Sequence, residues 1–173
     1  DAYFNLQDYE NSKLIYYKIN QIDSSNVDVY IKLGELALKQ NDPNKAIDLF
    51  LHAIKHNQNS INVLYSLAVA YAESNLFLQS AITLQYILEL SPENPEINYQ
   101  LAAIYKEMNL HTLAISHFNK YLYFYGDDPI AFYLLGESYF EIEDYNNAKL
   151  AFERSHKLNT GDYRTLFYIG LVS

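Results

Sequence analysis

An all-α solenoid of antiparallel helix pairs is predicted by three observations on this 173-residue chain. The first is a period of 34 residues that holds without insertion or deletion: Leu33, Leu67, Leu101, Leu135 and Ile169 recur at that interval, with Gly34, Ala68, Ala102, Gly136 and Gly170 directly behind them. The second is a pair of companion columns, small residues at Ser12, Ala46, Ser80, Ala114 and Ala148 and large ones at Tyr16, Phe50, Leu84, Phe118 and Phe152. The third is that, within each period, apolar residues recur at helical spacing in two blocks divided by a short polar turn. A fixed period in this range marks stacked units, none of which can bury its apolar face alone.

The elements follow in chain order as a single array. Residues 1–26 read as a partial repeat, the end of one helix and a complete second one. Repeat 27–60 places its helices at roughly 27–40 and 43–57. Asp42-Pro43 opens the second of these, because an Asp accepts from the bare amides of a first turn and proline there gives up a donor that has no partner. Repeat 61–94 has helices at roughly 61–74 and 77–90. Asn94-Pro95 opens repeat 95–128, with helices at 95–108 and 111–124, and Asp128-Pro129 opens repeat 129–162, with helices at 129–142 and 145–158. Gly126 and Gly161 stand where a chain leaving a helix can turn. Residues 163–173 start a further repeat whose second helix is missing, so the sequence reads as a fragment of a longer protein.

These columns resemble the tetratricopeptide repeat, whose pattern is a large residue, then Leu-Gly, Tyr, Ala, Phe and Pro at fixed places. Repeat 129–162 matches best, with Phe132, Leu135, Gly136, Tyr139, Ala148 and Phe152 in place, and repeat 61–94 has Leu64, Leu67, Ala68, Tyr71, Leu84 and Pro92. Asn98 departs from the pattern where a large apolar residue is expected, and Ile87, Tyr121 and Ser155 depart where alanine is usual. The resemblance spans the whole chain. It implies a right-handed superhelix that serves as a non-catalytic scaffold for protein–protein interaction, with the first helix of each pair lining the concave face.

The resemblance also implies where ligand contacts fall. The fifth place of each repeat reads Ile31, Tyr65, Tyr99, Tyr133 and Phe167, an aromatic ladder that offers contact area at low entropic cost. The same rings can instead lean on a neighbouring helix and be buried. Glu35 and Glu137 flank the ladder together with Glu73, Glu107 and Glu141, opposed by Lys32, Lys39 and Lys106. The expected groove is therefore aromatic and partly acidic, and the expected partner is a protein or peptide segment with basic and apolar residues. A solvated helix face is the alternative. The cationic clamp with which co-chaperones of this family hold a heat-shock protein's carboxylate has no counterpart in these places. A second candidate surface is Tyr123, Phe124 and Tyr125, part of an aromatic run that no helix can hide on every side. Two other functions are kept open: self-assembly as a homo-oligomer through repeat ends or the convex face, and substrate docking for a larger enzyme.

Composition sets the exclusions. Twelve Lys and Arg against 21 Asp and Glu give a net charge of −9, which disfavours a nucleic-acid partner. Cysteine is absent, so disulfides, thiol chemistry and thiolate metal sites are excluded. His52 and His56 are four apart, a spacing able to hold two metal ligands, but no glutamate lies between them and no third ligand is evident. With no phosphate-binding loop, nucleophile elbow or paired-carboxylate motif, neither catalysis nor a metal or cofactor is expected. The apolar stretches are too short to span a bilayer, so direct membrane insertion is not expected. A soluble chain is expected, cytoplasmic rather than exported, although composition assigns no compartment.

Overall fold

The computed structural model describes residues 26–56 and 60–172, together with residues 11, 14–16, 18 and 19. Most of the partial repeat 1–26, including Ser12, lies outside the described residues. The following helices are α1 (Val27–Lys39), α2 (Pro43–His56), α3 (Ile61–Glu73), α4 (Phe77–Leu90), α5 (Pro95–Glu107), α6 (His111–Phe124), α7 (Pro129–Glu141), α8 (Tyr145–Leu158) and α9 (Tyr163–Leu171). No strand occurs among the described residues. The chain forms two compact units, residues 1–90 and 91–173.

Helix starts are set by side-chain caps. Asn26, Asn94, Asp128, Asp144 and Asp162 each accept from an amide of the first turn of the helix they precede, and Asp42 accepts from Lys45 N at 3.2 Å. The turn inside each pair uses one device four times. Asn41, Asn75, Asn109 and Glu143 take φ of 59°, 59°, 58° and 61°. The next amide then reaches back into the helix: Asp42 to Ala37 O, Leu76 to Tyr71 O, Leu110 to Tyr105 O and Asp144 to Tyr139 O, at 2.8–3.0 Å. This left-handed cap suits asparagine, whose short amide side chain can hydrogen-bond locally, better than the longer glutamate. No described glycine has a positive φ, so Gly126 and Gly161 make their turns without that conformation.

In the first unit, α1 packs on α2, α2 on α3 and α3 on α4. Ala46, Phe50, Ala53, Val63, Leu67 and Ala70 form the centre of its core. A Cβ on Gly34 would lie 2.5 Å from the Phe50 ring, so this glycine admits the aromatic side chain. In α3 and α4 the same two places hold Ala68 and Leu84, and Ser80 Oγ donates to Ala68 O at 2.8 Å. Ile87, one of the departures from the repeat pattern, is fully buried.

The second unit pairs α5 with α6, α6 with α7, α7 with α8 and α8 with α9. Phe118 and Phe152 are fully buried, and a Cβ on Gly136 would meet the Phe152 ring at 2.7 Å. Two further departures acquire physical reasons. Ser155 Oγ donates to Pro129 O at 2.7 Å, tying α8 to the start of α7. Asn98 is buried, its amide donates to Asn94 O, and its Oδ1 lies 2.9 Å from His117 Nδ1. That contact requires Nδ1 to carry a hydrogen. Burial, with the Lys120 charge adding to it, lowers His117 to about 4, so the ring is neutral at physiological pH.

Candidate docking surfaces

The fifth place of the repeat lies on the first helix of each pair, and its side chains do not share one environment. In the first unit Ile31 and Tyr65 are half-buried, and Ile31 leans on the core. In the second unit Tyr99 is half-buried and edge-on to Phe118 at 5.9 Å and to Tyr121 at 5.0 Å. Burial, with Asp128 adding to it, raises the Tyr99 phenol. Phe167 is open to solvent at 64% exposure.

Tyr133 departs from the expected ladder. Only 9% of it is exposed. Its ring centre lies 5.9 Å from those of both Phe152 and Tyr168, and the Arg164 guanidinium sits 4.8 Å above it. Burial first, then Glu137, pushes its phenol well above the usual range. Tyr133 is thus a packing residue of α7. Gly136 leaves space for the Phe152 ring, and Phe152, Tyr133 and Tyr168 form an aromatic cluster.

The two acids expected to flank the ladder are already paired. Lys32 Nζ lies 2.9 Å from Glu35 Oε2, and Lys106 Nζ lies 3.0 Å from Glu137 Oε2, with both side chains mostly covered. Glu73, Glu107 and Glu141, the last residues of α3, α5 and α7, are exposed. The first-helix faces are therefore apolar and charge-balanced in the middle and acidic at the ends. Tyr168, at the sixth place, went unrecognised in the ladder. It stacks on Phe152 at 4.7 Å and 15° and meets Tyr133 and Phe140 edge-on. Its signal was an aromatic residue where the other repeats carry Lys32, Ser66, Gln100 and Leu134.

The second candidate surface is exposed: Tyr123 at 84%, Phe124 at 56% and Tyr125 at 44%. Phe124 and Tyr125 border an open cleft of about 540 Å³ that also includes Tyr121, Asp127 and Asp128. Each carboxylate around it has an internal task. Asp128 Oδ1 caps α7, and its Oδ2 accepts from the Tyr121 hydroxyl at 2.8 Å. Glu96 accepts from the Tyr125 hydroxyl at 2.5 Å, which holds the carboxyl below its ordinary range. Asp127 pairs with Arg154 at 3.0 Å. Tyr121 is pushed up to about 12, by burial first and then by Asp128.

His52 stacks on Tyr30 with ring centres 3.9 Å apart. Among the described residues no group of three or more His, Cys, Asp or Glu is placed to hold a metal. No helix among them is long and apolar enough to cross a membrane.

The family signature of the tetratricopeptide repeat matches residues 27–60, 95–128 and 130–162. The chain belongs to the tetratricopeptide-repeat family. Its fold is shared with the crystal structure of YrrB, described as a TPR protein with an unusual peptide-binding site, at a TM-score of 0.86 and 19% identity over 96% of this chain and 86% of that one. It is shared too with MamA from Desulfovibrio magneticus RS-1, at a TM-score of 0.80 and 19% identity over 84% of this chain and 82% of that one. In sequence the chain is 26% identical over 149 residues to the human protein O-mannosyl-transferase TMTC3, a match covering 83% of this chain. It spans only 16% of the length of that relative. Membership of the tetratricopeptide-repeat family supports a protein-interaction scaffold.

Proposed function

We propose that this tetratricopeptide-repeat chain is a non-catalytic docking scaffold whose first-helix faces hold a peptide segment of a partner protein. The observation that carries the reading holds in each unit by itself: Tyr65, Ser66 and Val69 on α3 of the first unit are partly exposed, and so, in the second, are Tyr99, Gln100 and Ala103 on α5, helices whose other sides are buried. A tyrosine held on one side by packing loses little freedom when a ligand covers its other side, and its hydroxyl stays available for a hydrogen bond. Because Glu35 and Glu137 are neutralised by lysines, a segment on either unit is mainly apolar, with basic residues addressing Glu73 in the first unit or Glu107 and Glu141 in the second. The peptide-binding site described for YrrB is in keeping with this use of the fold.

A screen of a displayed random-peptide library against the parent and a Tyr65→Ala/Phe167→Ala variant tests the reading. Enrichment of an apolar, basic motif by the parent, lost by a variant of unchanged helicity, is the expected result. Selection of the same motif by both would place the site elsewhere. A second reading, substrate docking for a larger enzyme, is favoured by the match to the human transferase. The sequence of the surrounding gene tests it, because a catalytic domain must then lie beside the repeats.

A further inference from the structure

The solvent face of the second helices is polar on α2 and α6, carries a single leucine on α8, and is apolar throughout on α4. The first three places of that face are exposed on α2 as Asn44, Asp48 and His52. On α6 they are Thr112, Ser116 and Lys120, all exposed, and on α8 they are Asn146, Leu150 and Arg154. On α4 the same places hold Leu78, Ile82 and Tyr86, followed at the same spacing by Leu90. Their exposures are 58%, 56%, 38% and 38%. The face that these residues occupy is thus set by the repeat register, while Ser80, Ala81, Leu84 and Ile87 fill the opposite, buried side of α4. A row of four apolar side chains at four-residue spacing forms one continuous ridge on the helix.

We propose that this ridge is a self-association surface, on which α4 packs against α4 of a second copy about a two-fold axis. The argument is complementarity. An antiparallel two-fold centred at the level of Leu84 puts Ile82 against Tyr86 of the other copy, and brings Leu78 toward Leu90 at each end. Two i, i+4 ridges interdigitate in the commonest class of helix packing, and a two-fold interface requires a surface that matches itself. Charge agrees. The chain carries −9 overall, yet α4 has a single charged residue, Glu89. The same axis sets Glu89 opposite Gln79, whose amide can donate to it, so no like charges meet. A ridge on one helix offers less than the roughly 800 Å² per partner of a standard stable interface, so a reversible dimer is expected rather than an obligate one. The surface lies on second helices and is independent of the first-helix faces assigned to the peptide.

The test is the molar mass of this chain by sedimentation equilibrium, followed over about a hundredfold range of concentration because association is governed by mass action. The parent should rise from monomer toward dimer mass, and an Ile82→Asp/Tyr86→His variant should stay monomeric throughout. Those two replacements install the residues that α2 carries at the same places, Asp48 and His52, so the fold has a precedent for them. Circular dichroism establishes that helicity is retained. A Leu78→Asn variant, copying Asn44, provides an independent and milder weakening if the double variant does not fold. A parent that stays monomeric at every concentration overturns the proposal and leaves the ridge to a different protein. A folded variant that dimerises as well as the parent also overturns it.

Discussion

The pairs α3–α4 and α7–α8 occupy the same slot of the repeat and start from nearly the same pattern, yet they divide core from surface differently. In α3–α4 the close-approach place is Ala68, the side chain facing it is Leu84, and Tyr65 keeps an exposed side. In α7–α8 the close-approach place is Gly136, which admits Phe152, and Phe152 clusters with Tyr168 and Tyr133 until Tyr133 is buried. The methyl group that separates Ala68 from Gly136 does not act alone, because in α5–α6 Ala102 occupies the close-approach place and the facing Phe118 is still fully buried. What sets Tyr133 apart is a second aromatic partner: Tyr168 stacks on Phe152 and meets Tyr133, whereas Tyr99 beside Phe118 stays half-buried where the next repeat carries Leu134 at the sixth place.

The largest expected effect separates the two tyrosines. Tyr133→Ala removes a buried ring from an aromatic cluster and should cost about 3–5 kcal/mol, whereas Tyr65→Ala should cost no more than about 1.5 kcal/mol; urea midpoints of the two variants measure the difference. Next, Gly136→Ala should cost about 1–3 kcal/mol, because the Phe152 ring it meets at 2.7 Å is held from its other side by Tyr168. Adding Phe152→Leu should restore most of that loss by recreating the Ala68 and Leu84 pairing, and calorimetric melting of the single and double variants reads the rescue.

The α5–α6 pair extends the comparison with a histidine, His117, at a place where the other two carry Thr83 and Ala151. His117 is held at about 4 in the folded chain against 6.5 when unfolded, so the unfolded state binds more protons between these values. Its contribution is complete above pH 6.5 and is lost as pH falls toward 4. After allowance for its partial exposure, it amounts to about 1–2 kcal/mol. Denaturation across that range should show the loss in the parent and a flatter profile in His117→Gln. The smallest effect concerns the turns. Glu143→Asn copies Asn75 at the same left-handed place and should stabilise by about 0.5–1 kcal/mol, read as a rise in Tm.

The period, the helix order and nearly every helix boundary could be read in the sequence, because each follows from local signals: helical apolar spacing, Asp-Pro and Asn-Pro starts, and small residues where two helices touch. What escaped was set by partners far along the chain. The burial of Tyr133 depends on Phe152 and Tyr168, and the neutrality of Glu137 depends on Lys106, 31 residues earlier and on another helix. Asn98 looked like a defect in the apolar pattern until His117 stood beside it. Two signals were present and unread. Asn41, Asn75 and Asn109 form a column at the repeat interval that marks the left-handed turn, and Leu78, Ile82, Tyr86 and Leu90 form a row at one helical spacing.

The turn within each pair closes its own backbone hydrogen bonds at the same two places every time. A joint of that kind takes its acceptors from the last turn of its own first helix and none from a neighbouring pair. Copying any 34-residue stretch in the gene therefore delivers a cassette with its joint included, and the array can lengthen or shorten without a new junction being invented.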